Sequence, residues 1–210
     1  MTDYSSALNI FRQQLHEDDD GELAEFLSFQ HQRLKNFDVF VFELCKGNIS
    51  KKTDDVSSCW KLTISESISV CNQLIQGLMQ LEKSNSCHND LKPGNILYSR
   101  DESGNLIIKI SDFGQAGRTG GTPGWTWPKF LTKRSPGKSD LYSVGLLMLY
   151  VMCADREVFY RIRNNYVKNH GQQWLIKLRN DPFFKLIIDM MNLKVTAMKA
   201  KKRWKKISGQ

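Results

Sequence analysis

Apolar residues recur at intervals of three and four through Ile64, Ile68, Cys71, Ile75 and Leu78, which predicts a helix over Ile64 to Glu82. Ser65 and Glu66 open that helix and Ser84-Asn85 close it. Upstream, Leu8, Phe11 and Leu15 share one face of a shorter helix over Tyr4 to Leu15. The acidic run Glu17-Asp18-Asp19-Asp20 with Gly21 reads as an exposed turn, and Glu25 to Gln30 and Phe37 to Phe42 read as short strands. Gly47 to Ser58 is polar and loop-like. Asn95 to Tyr98 and Leu106 to Ile110 flank Asp101-Glu102-Ser103-Gly104-Asn105, the pattern of a hairpin. Gly114 to Gly137 is rich in glycine and proline, and an irregular stretch of that length inside a compact domain is usually functional. Beyond Lys138 the chain reads as helical, so the expected fold class is α+β, mostly α.

Composition narrows the picture. A chain of 210 residues with 40% hydrophobic and 25% charged residues suits a folded globular protein. At this size roughly 70% of the extended chain's surface is buried on folding, enough for one sizeable core or two small lobes. The near-apolar stretch Leu141 to Ala154 is too short for a bilayer span and reads as a buried helix. Five cysteines (Cys45, Cys59, Cys71, Cys87, Cys153) without CxxC or His-paired spacing point away from a disulfide framework or zinc. With no secretory signal at Met1 to His16, the expected setting is intracellular, cytoplasmic or nuclear. The net charge of +8 is concentrated at the C-terminus, where eight basic residues from Lys185 to Lys206 face one acid, Asp189. This basic tail is a candidate contact for an acidic partner, although a solvated end is the commoner outcome.

Three patches carry chemistry-bearing residues in chain order. They are Cys87-His88-Asn89-Asp90-Leu91-Lys92-Pro93-Gly94-Asn95, then Ile110-Ser111-Asp112-Phe113-Gly114, then Gly121-Thr122-Pro123 ahead of Ser139-Asp140-Leu141. Together they resemble the C-terminal lobe of the eukaryotic protein kinase family, serine/threonine type, over about Phe37 to Arg203. HxDLKPxN followed by DFG at the end of a hairpin is a specific signal, where a lone HxD is weak.

The resemblance implies phosphoryl transfer from Mg-ATP to a protein hydroxyl, with ATP and Mg²⁺ as cofactors. Asp90 then accepts or orients the substrate hydroxyl, and Lys92 meets the γ-phosphate. Asn95 and Asp112 offer hard oxygen ligands to Mg²⁺. Val41-Phe42-Glu43-Leu44-Cys45 resembles the hinge, with the backbone of Glu43 and Cys45 facing adenine. Supporting roles fall to His88 packing on Phe113, to Thr122 contacting the Asp and Lys, and to Asp140 holding the catalytic loop. A plain helix N-cap is the other reading of Asp140.

Several features depart from the family pattern. No GxGxxG loop and no VAIK lysine occur, the helix Tyr4 to Leu15 contains no glutamate, and Lys35 is misplaced for the ATP lysine. The expected organisation is therefore an N-lobe remnant over residues 1–42 (a helix and two strands), followed by a C-lobe with its basic tail over 43–210. Asn89 replaces the arginine that docks an activation-loop phosphate, which argues against switching by phosphorylation at Thr119 or Thr122. Lys129 stands where the family has a glutamate that pairs with an arginine; if Arg203 is that arginine, the pair is like-charged.

Two functions follow. One is a serine/threonine kinase acting on a protein substrate. The other is a catalytically inactive partial kinase that serves as a binding or decoy partner of another kinase. Nucleic-acid binding ranks last, because the basic tail lacks interleaved aromatics apart from Trp204.

Overall fold

The computed structural model describes residues 44–50, 62–118, 120–128, 138–153, 155–168 and 180–209. The chain divides into two compact units, Met1–Leu44 and Cys45–Gln210. The helix expected over Tyr4 to Leu15, the strands over Glu25 to Gln30 and Phe37 to Phe42, and residues Lys35, Phe42, Glu43, Cys59, Thr119 and Lys129 lie outside the described residues.

Among the described residues the second unit is mostly helical, with one small antiparallel sheet. Its elements are β1 (Gly47–Asn48), α1 (Ile64–Lys83), β2 (Ile96–Arg100), β3 (Leu106–Ile110), α2 (Lys138–Met152), α3 (Arg156–Lys168), α4 (Pro182–Met191) and α5 (Ala197–Ser208). The α+β, mostly α class holds.

The 3.6-residue period explains α1. Val70, Cys71, Leu74, Ile75, Leu78 and Leu81 all turn inward. It starts at Ile64 as expected, but the residue that caps it is Thr63 rather than Ser65. Thr63 is the N-cap: its side chain accepts from the Glu66 amide, and the Glu66 carboxylate accepts from the Thr63 amide at 2.9 Å. These bonds hold the Glu66 carboxyl below its ordinary value, the Thr63 amide contributing most and the Arg100 guanidinium next. Ser84 closes the helix, as expected.

In α2 every residue from Ser139 to Val151 is buried, the signature of a helix that is apolar all round. It packs against α1, α3 and α4 and forms the axis of the core. No helix among the described residues is long and apolar enough to cross a membrane.

The hairpin pairs Ile96 with Ile110 and Arg100 with Leu106. β3 is an edge strand, and α1 satisfies part of that edge. The Gln73 amide donates to Leu106 O at 2.8 Å and accepts from Ile108 N at 2.9 Å. One side chain thereby fixes the hairpin against α1. On the other edge, the polar stretch expected as loop contributes the two-residue strand β1, which pairs Gly47 with Tyr98. Ile49, the apolar residue next to it, is fully buried, and its carbonyl accepts from Tyr150 Oη of α2 at 3.1 Å.

The basic tail also differs from a solvated end. α5 docks through Ala197, Ala200 and Trp204, which are buried against α1 and α4, while Lys199, Lys202, Lys205 and Lys206 stay exposed. Arg203 pairs with Asp189 of α4 at 2.7 Å; Lys129, the residue considered opposite it, lies outside the described residues. Burying a tryptophan in this helix makes the tail part of the core. Trp204→Ala is expected to lower unfolding stability by about 3–5 kcal/mol, measured by urea denaturation, rather than merely fray the terminus.

Candidate active site

The loop after α1 is shaped by one buried carboxylate. Asp140, in the first turn of α2, accepts the backbone N–H of His88 at 2.7 Å and of Asn89 at 2.8 Å. It is not an N-cap: its oxygens face a loop 51 and 52 residues away in sequence. Burial pushes its carboxyl above the ordinary value, and the two amides oppose that shift. Held at those two points, the chain passes through Asn89 with φ +67°, a left-handed conformation that asparagine tolerates better than most residues.

His88 is fully buried, and both of its ring nitrogens are engaged. Nε2 lies 2.8 Å from Ser111 O, and Nδ1 accepts from the Asp90 amide at 3.2 Å. A carbonyl on one side and an N–H on the other assign the proton to Nε2. The ring also packs on Phe113, with centroids 4.7 Å apart. It therefore holds the loop and leaves no nitrogen for proton transfer.

Asp90, Lys92 and Thr122 close a triangle. Lys92 Nζ donates to Asp90 Oδ2 at 2.6 Å and to Thr122 Oγ1 at 2.9 Å; Thr122 donates from its amide and its hydroxyl to Asp90 Oδ1 at 2.8 and 2.7 Å. Burial of Asp90 works against its ionised form. The bonds from Lys92 and Thr122 and the lysine's charge outweigh it and hold the carboxyl below its ordinary value. The result is a carboxylate with most of its lone pairs occupied beside a lysine whose side chain keeps 30% exposure.

Asn95 ends the turn Pro93–Asn95, and its side-chain nitrogen donates to Asp90 O at 2.9 Å. With the nitrogen committed, the amide oxygen is the atom left for another partner. Asn95 O accepts from the Ser111 amide at 2.9 Å and from its hydroxyl at 3.2 Å. Asp112 therefore follows directly on a residue bonded to both Asn95 and His88. It is left-handed at φ +63°, and its Oδ1 accepts from Gly114 N at 3.3 Å. Asp112 is exposed, and its carboxylate makes no direct bond to Asp90, Lys92 or Thr122 among the described residues.

An amide oxygen and a carboxylate are hard donors that suit Mg²⁺, which takes one or two protein ligands and completes its shell with water and phosphate. Among the described residues no three His, Cys, Asp or Glu side chains gather to hold a metal by themselves.

Of the residues singled out in the sequence, Asp90, Lys92, Asn95 and Thr122 come into direct contact. His88, Phe113 and Asp140 form the support beneath them, and Asp112 joins through Ser111. Cys45 is a half-buried free thiol in the second unit, and Glu43 is outside the described residues. Sequence reasoning missed Ser111 and the side-chain contacts of Asn89. Both act across 16 to 29 residues of intervening chain, where periodicity carries no information.

Removal of the Asp140 carboxylate strands two loop amides in a buried setting. Asp140→Ala is expected to cost about 3 kcal/mol of stability by chemical denaturation, with Asp140→Asn intermediate because it keeps one acceptor.

Comparisons with known proteins identify the family. The protein kinase domain family matches residues 23–205. The chain is similar to the DNA damage response protein kinase DUN1 of Saccharomyces cerevisiae, at 30% identity over 70% of this chain and 37% of that protein. It is also similar to calcium-dependent protein kinase 3 of Plasmodium yoelii yoelii, at 30% identity over 50% of this chain and 23% of that protein. A third relative is the calcium/calmodulin-dependent protein kinase type 1 of Caenorhabditis briggsae, at 28% identity over 57% of this chain and 35% of that protein. These matches span between 23% and 37% of the relatives' length. With its loop, hairpin turn and threonine gathered as described, and the family matched over most of its length, the chain belongs to the eukaryotic protein kinase family.

Proposed function

We propose that this chain is a serine/threonine protein kinase that moves a phosphoryl group from Mg-ATP to a protein hydroxyl. The observation that carries the reading is the closed Asp90–Lys92–Thr122 triangle with Asn95 bonded to its base. Bound Mg²⁺ supplies charge neutralisation between phosphates, and Asn95 and Asp112 are the residues that would hold it.

The chain's own residues orient and neutralise. Asp90 Oδ1 is occupied by Thr122, and Oδ2 by Lys92 and by a long 3.4 Å contact from Asn95. A substrate hydroxyl would displace that weak contact and point its proton at Oδ2. Because its neighbours depress the pKa of Asp90, the carboxylate is a poor ground-state base. Its role is to aim the hydroxyl and receive the proton late, which suits a loose transition state. Lys92 commits two of its three N–H donors to Asp90 and Thr122, which leaves one for an oxygen of the transferring group.

The test is phosphotransfer from Mg-ATP to a serine- and threonine-containing acceptor such as casein. Asp90→Asn is expected to lower the rate by about 10²–10⁴-fold, and equal rates for the two proteins would overturn the reading. A folded pKa below the ordinary value keeps Asp90 ionised as pH falls. The rate should therefore show no loss assignable to Asp90 until below about pH 4.

The second reading is a kinase-like binding partner without activity of its own. It is favoured by the absence of GxGxxG and of a VAIK lysine from the sequence, since a missing lysine removes preorganised stabilisation of phosphate charge. Thermal unfolding with millimolar Mg-ATP separates the two. A bound nucleotide raises the midpoint by mass action, whereas an unchanged midpoint together with absent transfer supports the binder.

A further inference from the structure

We propose that Arg163 of α3 selects the protein substrate, by receiving an aspartate or glutamate side chain that lies within a few residues of the phosphoacceptor. The inference rests on the kinase reading above and narrows it to one class of substrate, a serine or threonine beside an acidic residue.

The segment that meets Asp90 also meets Arg163. Thr122 donates to Asp90 Oδ1 from its amide and its hydroxyl, and Gly124 follows two residues later. Gly124 has φ +83°, and a Cβ built there would stand 3.3 Å from Arg163 Nη1 and 3.5 Å from Cζ. Glycine adopts that backbone readily and leaves the guanidinium room against the main chain. Trp125 then enters the core, where its ring stacks on Phe159, a buried α3 residue about one turn before Arg163. That stacking sets α3 against the segment. Two residues of chain span at most about 7 Å, so Arg163 stands within reach of the residues flanking a hydroxyl held at Asp90.

The guanidinium is fixed in place and left without an anion. Its Cζ lies 4.9 Å from the centroid of the Tyr160 ring. Nε and Nη2 reach the Asn164 side-chain oxygen at 3.3 and 3.1 Å. Nη1 has no acceptor among the described residues, and it is the nitrogen nearest Gly124. Arg100 and Arg203 each bind a carboxylate, Glu66 and Asp189, whereas none among the described residues pairs with Arg163. One neutral amide oxygen leaves most of the five arginine donors unused. The end of the fork, Nη1 with the outward N–H of Nη2, has the geometry that receives both oxygens of a carboxylate. Tyr160 and Asn164 hold that fork before a ligand arrives, which reduces the ordering cost of binding one.

Nine-residue peptides with one central serine in a glycine–alanine background test the proposal on the full chain with Mg-ATP. One glutamate, glutamine or lysine is moved through every other position, and kcat/KM is measured for each peptide. In the wild type, glutamate is expected to exceed glutamine about tenfold at one position or two adjacent ones. Arg163→Gln should bring that ratio to about one. Arg163→Lys should keep part of it, because the charge remains without the planar fork. Arg163→Glu should favour lysine over glutamine at the same position, an inversion that loss of packing alone does not produce. Each ratio is taken within one variant, so a general loss of rate cancels. A wild-type ratio near one at every position, or a preference retained in Arg163→Gln, would overturn the proposal.

If no peptide is phosphorylated, the kinase reading fails and binding decides the proposal separately. Fluorescence anisotropy of the same peptides, labelled with fluorescein and without nucleotide, should then show tighter binding of glutamate than of glutamine peptides. That preference should weaken as salt is raised and vanish in Arg163→Gln. Equal binding of the two peptide sets, or none by either, refutes a role for Arg163 in recognition.

Discussion

The geometry of the site depends first on a carboxylate that never faces a substrate. Asp140 sits in the first turn of a helix whose residues Ser139 to Val151 are all buried, and it receives two consecutive amides from a loop far away in sequence. A neutral side chain could accept one of those bonds well, but not both with charge assistance. Pinning two successive amides sets the direction of the peptide planes at His88 and Asn89. That in turn decides where the Asp90 side chain emerges. Burial of the carboxylate raises its pKa, a desolvation cost that the amides of His88 and Asn89 offset in part.

Above this support the polar groups are graded by exposure and by charge. His88 and Asn89 are buried and neutral in function, committed to backbone atoms. Asp90 is buried but paired, its charge offset by Lys92 and by both donors of Thr122. Lys92 and Asp112 reach solvent, where a highly charged ligand would arrive. The side chains of Lys92 and Asp112 are thus the more accessible charges, with the polar groups that hold the chain buried beneath them.

How much of this was legible in the sequence follows from the range of each interaction. The helix over Ile64 to Lys83 and the hairpin showed plainly, because 3.6-residue and two-residue periods are local signals. The buried helix at Leu141 was legible from its apolar run. Thr63 was passed over in favour of Ser65, since several small polar residues precede the helix and only the reciprocal bond to Glu66 tells them apart. The polar stretch after Gly47 concealed a strand of two residues, too short to show a period. For the site, motif spacing located Asp90, Lys92, Asn95 and Asp112, yet Ser111 and the grip of Asn89 on Gln115 and Arg118 had no local mark. Those are contacts to backbone atoms, which any sequence presents identically.

The hairpin that carries Asp112 is placed by apolar packing and by polar links together: Ile96 and Leu106 are buried in the core, and Tyr98, Ile108 and Ile110 pack against it. Two-stranded hairpins are marginal alone, and this one has a single short neighbour at β1. Three polar side-chain or backbone links made at its margins add to that packing. Gln73 of α1 binds the outer edge of β3 in both directions, Tyr150 of α2 holds the carbonyl of Ile49 beside β1, and Ser111 bonds back to Asn95 where β2 begins. Each link joins the sheet to a buried helix or to the Asp90 loop. The hairpin is therefore fixed at both margins, and the end that carries Asp112 is tied through Ser111 to Asn95 and His88. Loosening of Gln73 or Ser111 would move that carboxylate relative to Asn95 while leaving α1 and α2 packed, because the core contacts of those helices run through Leu74, Leu78 and their neighbours instead.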